Sequence, residues 1–158
     1  MTTRAEPQSD PPPRQARIVL LSHNPIAEAI ETIGTTAGRA VTVIEQDSAG
    51  EGVSALAKMG LRDGDAVVLC DHDAADAPQF LRDSLASPAS YVAMMASRRR
   101  AEGLLEQLEQ EQVPGLDKLH VPAGLDTGGK APGEIALSVV AEVVACAYGR
   151  HGGPMGRR

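Results

Sequence analysis

Aromatic residues are nearly absent from this chain of 158 residues, which has no Trp, one Phe and two Tyr. Proteins that bind single-stranded nucleic acid stack bases on exposed aromatic rings, so this composition counts against such a function. The formal net charge of −6 points the same way, because nucleic-acid binders usually carry a basic surplus. Since 42% of the residues are hydrophobic, the core must be mostly aliphatic, which favours a parallel sheet covered by helices.

Cysteine is scarce as well, and Cys70 and Cys146 are the only two in the sequence. Both stand in apolar runs and are predicted to be small buried hydrophobic residues without a disulfide. The sequence contains no CxxC or HExxH motif, so zinc chemistry finds no support. No apolar run approaches the ~20 residues that a membrane span requires. No secretory signal follows Met1, and the sequence therefore predicts a cytoplasmic protein without a membrane partner.

The glycine fingerprint of dinucleotide-binding proteins is also missing. In that fingerprint, G-x-G-x-x-G follows the first strand and lets the backbone approach a pyrophosphate. The corresponding turn here is Ser22-His23-Asn24-Pro25, in which the proline also removes an amide donor. Glu45 follows the second predicted strand, where a ribose-binding carboxylate would be expected. The sequence thus disfavours NAD(P) binding, although Glu45 stands where a dinucleotide-binding protein carries its ribose-binding carboxylate.

Strand and helix patterns alternate between two polar ends. The proline-rich residues 1–15 are predicted to be a disordered tail, 16–149 a single domain, and 150–158 a flexible tail. Alternating apolar strands and helices imply right-handed crossovers, which predicts a Rossmann-like three-layer α/β fold with a mostly parallel sheet of about five strands. The predicted strands are 17–21, 41–44, 66–70, 90–95 and 119–121, and the predicted helices are 25–36, 77–85, 97–112 and 132–147, with 51–59 open between helix and loop.

Polar residues follow each predicted strand. In a parallel sheet these loops lie along one edge, where ligands of doubly wound proteins bind. Ordinary polar loops and helix caps would explain the same residues without a ligand. The candidate ligand-binding residues at this edge are Ser22, His23, Glu45, Asp71, His72, Ser97, Arg98, Arg99, Gly124 and Asp126.

The run from Ser97 to Arg100 is the clearest candidate among them. Ser97 is a good N-cap, and a helix N-terminus presents free amides and a positive dipole end to an anion. Arginine adds forked donors suited to phosphate. Three cations at a helix start oppose the dipole, which favours an anionic partner, although pairing with glutamates one turn later is an alternative. Ser97 and Arg98 are predicted to make the contact in preference to Arg100.

Two other loops could carry chemistry. The Asp71-His72-Asp73 turn suits a general base or a divalent cation, but an aspartate that caps the next helix is the simpler interpretation, and no metal site is predicted. The glycine-rich residues 124–129 would allow a ligand to approach the backbone closely. An ordinary connection between strand and helix would explain this loop equally well.

Two segments resemble the XdhC/CoxI family, accessory proteins that mature molybdenum hydroxylases such as xanthine dehydrogenase and carbon monoxide dehydrogenase. They are the strand-SRR-helix unit of residues 91–102 and the PAGLDTGGKAPGEIALSVVAE run of residues 122–142. The resemblance covers residues 17–148 and only the C-terminal Rossmann domain of the family. The family's N-terminal domain with its cysteine motif has no counterpart in this sequence, and the first loop lacks the usual glycines.

The resemblance implies a non-enzymatic maturation factor that binds molybdenum cofactor transiently and helps its sulfuration or insertion. The implied partners are an apo molybdenum hydroxylase and either a cysteine desulfurase or a cofactor cytidylyltransferase, and a homodimer stays open. Two other functions also stay open. One is an NAD(P)-dependent oxidoreductase, which rests on fold class alone, and the other is a degenerate Rossmann scaffold that binds only protein.

Overall fold

The computed structural model describes residues 16–45 and 50–156, so the predicted tail of residues 1–15 lies outside the described residues. Strands and helices alternate along this part of the chain, as predicted. The elements are β1 (Arg17–Leu21), α1 (Pro25–Thr36), β2 (Ala40–Ile44), α2 (Glu51–Lys58), β3 (Ala66–Leu69), α3 (Ala77–Ala86), β4 (Tyr91–Met94), α4 (Arg98–Gln110), a 3-10 turn (Leu116–Lys118), β5 (Leu119–His120) and α5 (Pro132–Ala147).

The five described strands form one sheet in the order β2-β1-β3-β4-β5, and every neighbouring pair is parallel. This arrangement confirms the predicted Rossmann-like α/β fold. The strand order reverses between β1 and β3, and sheets of this kind open a crevice beyond the carboxyl ends of their strands at such a point.

Helices cover both faces of the sheet. One core lies between the sheet and α2, α3 and α4, and it contains Phe80, the only phenylalanine of the chain. The other lies between the sheet and α1 and α5, and it contains Tyr91. Both aromatic side chains are fully buried among aliphatic residues, which accords with the aliphatic core that the composition predicted.

Helix α2, which the sequence left open, depends on a side chain from another part of the chain. Gly50 is its N-cap residue, at φ +92°, and offers no side chain to cap the helix. The buried Asp76 carboxylate instead accepts hydrogen bonds from Gly50 N at 2.7 Å and Val53 N at 3.2 Å. Asp76 precedes α3, so a residue suited to capping the helix that follows it caps α2 by a tertiary contact.

The prediction of two buried cysteines is correct for one of them. Cys70 is buried, whereas Cys146 is exposed because it lies on the last turn of α5, and both are free thiols. None of the helices in the described chain is both long enough and apolar enough to cross a membrane. Beyond α5, a methyl group on Gly152 would lie 2.8 Å from Leu125 Cδ1, so this segment passes against the loop after β5.

Candidate functional site

A cavity of about 860 Å³ opens at the carboxyl edge of the sheet. Its walls come from the loop after β3, the start of α4 and the loop between β5 and α5, with Ile26 of α1 at one side. This volume falls in the range of pockets that hold cofactor-sized ligands. The polar residues that line the cavity are Asp71, His72, Ser97, Arg100, Asp126, Thr127, Lys130 and Ser138.

The structure brings half of the predicted binding residues to this cavity. These residues come from three loops that are far apart in sequence, and they are Asp71, His72, Ser97, Gly124 and Asp126. The prediction that loops after neighbouring parallel strands share one edge is confirmed for these three loops. Ser22 and His23 follow β1 on the same edge but outside the cavity lining, and Glu45 is exposed at the end of the outer strand β2.

The arginine run is divided between two surfaces. Arg98 and Arg99 line a second cavity of about 440 Å³ along α4, together with Glu102, Leu105, Glu106 and Glu109. Arg100 lines the main cavity, so the structure places Arg100 at this crevice beside Ser97, whereas the sequence favoured Arg98 for the anion contact. The reason is helical geometry, because positions three apart share a face and Arg100 therefore follows Ser97 around the helix.

Ser97 is the N-cap of α4, as predicted. Its Oγ accepts a hydrogen bond from Arg100 N at 3.2 Å, and its carbonyl accepts one from Ala101 N at 3.1 Å. The first amides of any α-helix lack intrahelical acceptors and carry the positive end of the dipole. The start of α4 therefore brings partial positive charge, a hydroxyl group and the Arg100 guanidinium to the same wall of the cavity.

The turn after β1 is closed by a side chain. Ser22 has φ +74°, a left-handed conformation that glycine adopts more readily, and its amide donates to Ile44 O at 3.0 Å. Asn24 caps α1 by accepting from Ala27 N at 2.8 Å, and its Nδ2 donates to Cys70 O at 3.1 Å. The Asn24 amide thus ties β1 to β3 at the point where dinucleotide-binding proteins leave glycine backbone open to a pyrophosphate.

The loop after β3 forms a compact polar turn. Asp71 Oδ1 accepts from Asp73 N at 3.0 Å, and His72 Nε2 lies 3.5 Å from Asp73 Oδ2. The potential ligand atoms of these three side chains lie within 4.8 Å of one another, and such acidic turns are common without an ion. Beneath them, burial and the charge of Asp71 raise the pKa of Cys70 to about 12, so its thiol stays protonated at neutral pH.

Four polar residues of the cavity wall were not among the predicted binding residues, namely Arg100, Thr127, Lys130 and Ser138. Lys130 follows Gly128 and Gly129 directly, and a cation next to a glycine pair was a detectable indication of an anion-binding loop. Ser138 is a buried polar residue of α5, a helix rich in alanine and valine. Its side chain lies against the loop after β5, since a Cβ on Gly124 would approach Ser138 Oγ to 2.4 Å.

The parallel sheet and the cavity at its carboxyl edge define a Rossmann-type α/β domain. The chain matches the XdhC Rossmann domain over residues 18–143, and it belongs to that family. It is 29% identical over 116 residues to the uncharacterized protein YqeB of Escherichia coli strain K12. The aligned region covers 72% of this chain and 20% of YqeB. The resemblance to the XdhC family is thereby confirmed.

A crystal structure of a xanthine dehydrogenase from Bacillus halodurans has the same fold. It aligns with a TM-score of 0.71 at 22% identity, over 86% of this chain and 44% of that chain. The present chain therefore spans one fifth of YqeB and less than half of the Bacillus halodurans protein.

Proposed function

We propose that this chain is an accessory factor in the maturation of a molybdenum hydroxylase and that it holds molybdenum cofactor as cargo in the main cavity. The observation that carries the proposal is the cavity itself, in which Ser97, Arg100 and the loop of residues 124–130 face one another in a member of the XdhC family. The chain's own residues would bind and shield the cofactor, which supplies the molybdenum centre of the recipient enzyme.

The chemistry of the cavity wall fits such a ligand. Arg100, Lys130 and the amides at the start of α4 suit a phosphate, or the pyrophosphate of a dinucleotide form. Asp71 and Asp126 are acceptors for the N–H groups of a pterin ring. The cavity volume of about 860 Å³ allows both parts of the ligand to be held together.

The roles beyond binding follow from the family and belong to the same proposal. A chain that shields the cofactor would deliver it to an apo hydroxylase, with sulfuration by a cysteine desulfurase or nucleotide transfer by a cytidylyltransferase as the neighbouring step. The Arg98 and Arg99 side chains lie along α4 away from the main cavity and are available for contact with such proteins.

Cofactor retention by an Arg100→Ala variant tests the binding role, and Arg99→Ala is the matched control. We expect the purified protein to co-elute with molybdenum cofactor in gel filtration under anaerobic conditions, with molybdenum measured by mass spectrometry. Removal of a charge-assisted contact costs about 1.5–3 kcal/mol, so Arg100→Ala should weaken retention by about tenfold or more. Arg99→Ala removes the same charge from the neighbouring position and should retain the cofactor like the wild type.

The alternatives give different results in the same experiment. Binding of NAD(H) or NADP(H), without cofactor retention and with sensitivity to Arg100→Ala, would support an oxidoreductase instead. The Asn24 bridge between β1 and β3 argues against that result. The proposal would be contradicted if the wild-type protein bound neither ligand and a deletion strain kept normal hydroxylase activity. The remaining function would then be a Rossmann scaffold that binds only protein.

A further inference from the structure

One wall of the cavity rests on a polar stripe of α5. This helix is otherwise rich in alanine and valine, but Glu134, Ser138 and Glu142 recur at intervals of four residues. Residues at this spacing lie one above the other on the same face of a helix. The stripe faces the loop between β5 and α5, which belongs to no helix or strand and which carries Asp126 and Lys130 to the cavity.

Each residue of the stripe accepts a hydrogen bond from the backbone of this loop. Glu134 Oε1 accepts from Ala131 N at 3.1 Å, and Ser138 O accepts from Leu125 N at 3.2 Å. Glu142 Oε1 accepts from Gly124 N at 3.1 Å. The contact between Glu142 and Gly124 lies farthest from the start of α5, and it fixes the loop at the end nearest to β5.

Glu142 differs from the other two because it joins the loop to the sheet. Its Oε1 also accepts from the hydroxyl of the buried Tyr91 at 2.5 Å and lies 3.5 Å from His120 Nδ1. The rings of Tyr91 and His120 stack with their centroids 4.5 Å apart. One carboxylate oxygen therefore contacts Tyr91 of β4, His120 of β5 and the Gly124 amide of the cavity loop. The Glu142 side chain is only 15% exposed.

The electrostatics agree with this structural arrangement. Burial alone would raise the pKa of Glu142, but the donors from His120, Tyr91 and Gly124 together lower it below its usual value. The side chain is therefore a carboxylate at neutral pH. Cys146 lies beside this cluster, with Sγ 3.8 Å from His120 Nε2, and partial desolvation of the sulfur and the negative charge of Glu142 raise the pKa of its thiol. A raised thiol pKa disfavours nucleophilic chemistry by Cys146.

We infer that Glu142 is a positioning residue, which holds the Gly124 amide and thereby keeps residues 123–131 in the conformation that forms the cavity wall. Gly124 has φ +105°, and a side chain there would collide with Ser138, so the loop has little room to find another path. The inference about the loop stands on geometry, and only its consequence for ligand affinity rests on the proposed function.

Hydrogen exchange of backbone amides tests the inference in the full chain. Glu142→Ala should raise the exchange rate of amides in residues 123–131 by about tenfold, equivalent to one lost hydrogen bond, with a much smaller change in β1 and β3. Glu142→Gln keeps an acceptor oxygen at the same place and should stay close to the wild type. Glu106→Ala, at an exposed glutamate of α4, is the control for removal of a carboxylate. Glu142→Met retains the side-chain length without an acceptor and replaces the alanine variant if that variant does not fold.

Three results would overturn the inference. They are unchanged exchange of the loop in Glu142→Ala and Glu142→Met, an equal increase throughout the molecule, or failure of Glu142→Gln to restore protection. The same variants are then assayed for molybdenum cofactor retention, where a loosened loop should weaken retention by about tenfold. If the wild type retains no cofactor, the proposed function fails, while the exchange rates still decide the role of Glu142.

Discussion

Replacement of Asp65 by alanine is expected to lower the free energy of unfolding by about 3 kcal/mol, near the lower end of the range for breaking a buried ion pair. The Asp65 side chain is 2% exposed and accepts from Arg17 Nη2 at 2.6 Å, Arg17 N at 3.2 Å and Arg62 N at 2.8 Å. These contacts join the starts of β1 and β3, which are neighbouring interior strands of the sheet. The alanine variant leaves a charged Arg17 without its carboxylate partner, but Arg17 keeps its hydrogen bonds to Met59 O and Gly60 O, and its side chain is 21% exposed and reaches water.

The pH dependence of stability should identify the same carboxylate. Burial would raise the pKa of Asp65, but hydrogen bonds from Arg17 and from the Arg62 amide outweigh burial and lower it. A lowered native pKa means that the stabilisation is fully present above the unfolded-state value of about 3.9 and is lost as the pH falls through the native value. The difference between wild type and Asp65→Ala should therefore be large at neutral pH and shrink in acid.

Urea unfolding followed by circular dichroism, at neutral pH and again in acid, measures both effects. Asp117→Ala is the control, because Asp117 is exposed in the 3-10 turn and its removal should change stability by no more than about 0.5 kcal/mol. An Asp65→Ala protein as stable as this control at neutral pH would show that the ion pair does not stabilise the sheet.

Replacement of Gly115 by alanine should also cost about 3 kcal/mol, the sum of a left-handed conformation and an overpacked contact. Gly115 lies in the turn between α4 and β5 at φ +80°. A Cβ there would lie 2.2 Å from Leu85 O and 2.9 Å from Lys118 Cε. The lysine could move away, but the carbonyl belongs to the backbone of α3 and could move only with the helix.

Gly103→Ala is the matched control for this substitution. Gly103 lies within α4, and a methyl group there would meet no atom of the described chain within 4 Å. Alanine is favoured over glycine in a helix, so this variant should gain about 0.5–1 kcal/mol. The same chemical change is thus expected to have opposite signs at the two positions, and equal thermal shifts would refute the packing argument.

Local pattern was sufficient to predict the layers and the direction of the sheet. The run Ala66–Leu69 is fully buried and reads as a strand because both faces of a parallel sheet are covered. Ser97 was recognised as an N-cap because capping needs only a hydroxyl group before a helical pattern. The positions of Asp71, Ser97 and Gly124 at one cavity followed from the same reasoning, since the loops after neighbouring parallel strands meet at one edge.

Contacts between residues distant in sequence set the remaining features. Helix α2 begins where Asp76 satisfies the Gly50 amide, and the first loop is closed by a bond from Asn24 to Cys70. The cavity faces Arg100 in preference to Arg98 because the rotation of α4 is set by its packing against the sheet. Periodicity determines which side chains share a face of a helix. Which face turns toward the cavity depends on the elements that pack beside the helix, and the local sequence pattern does not specify those neighbours.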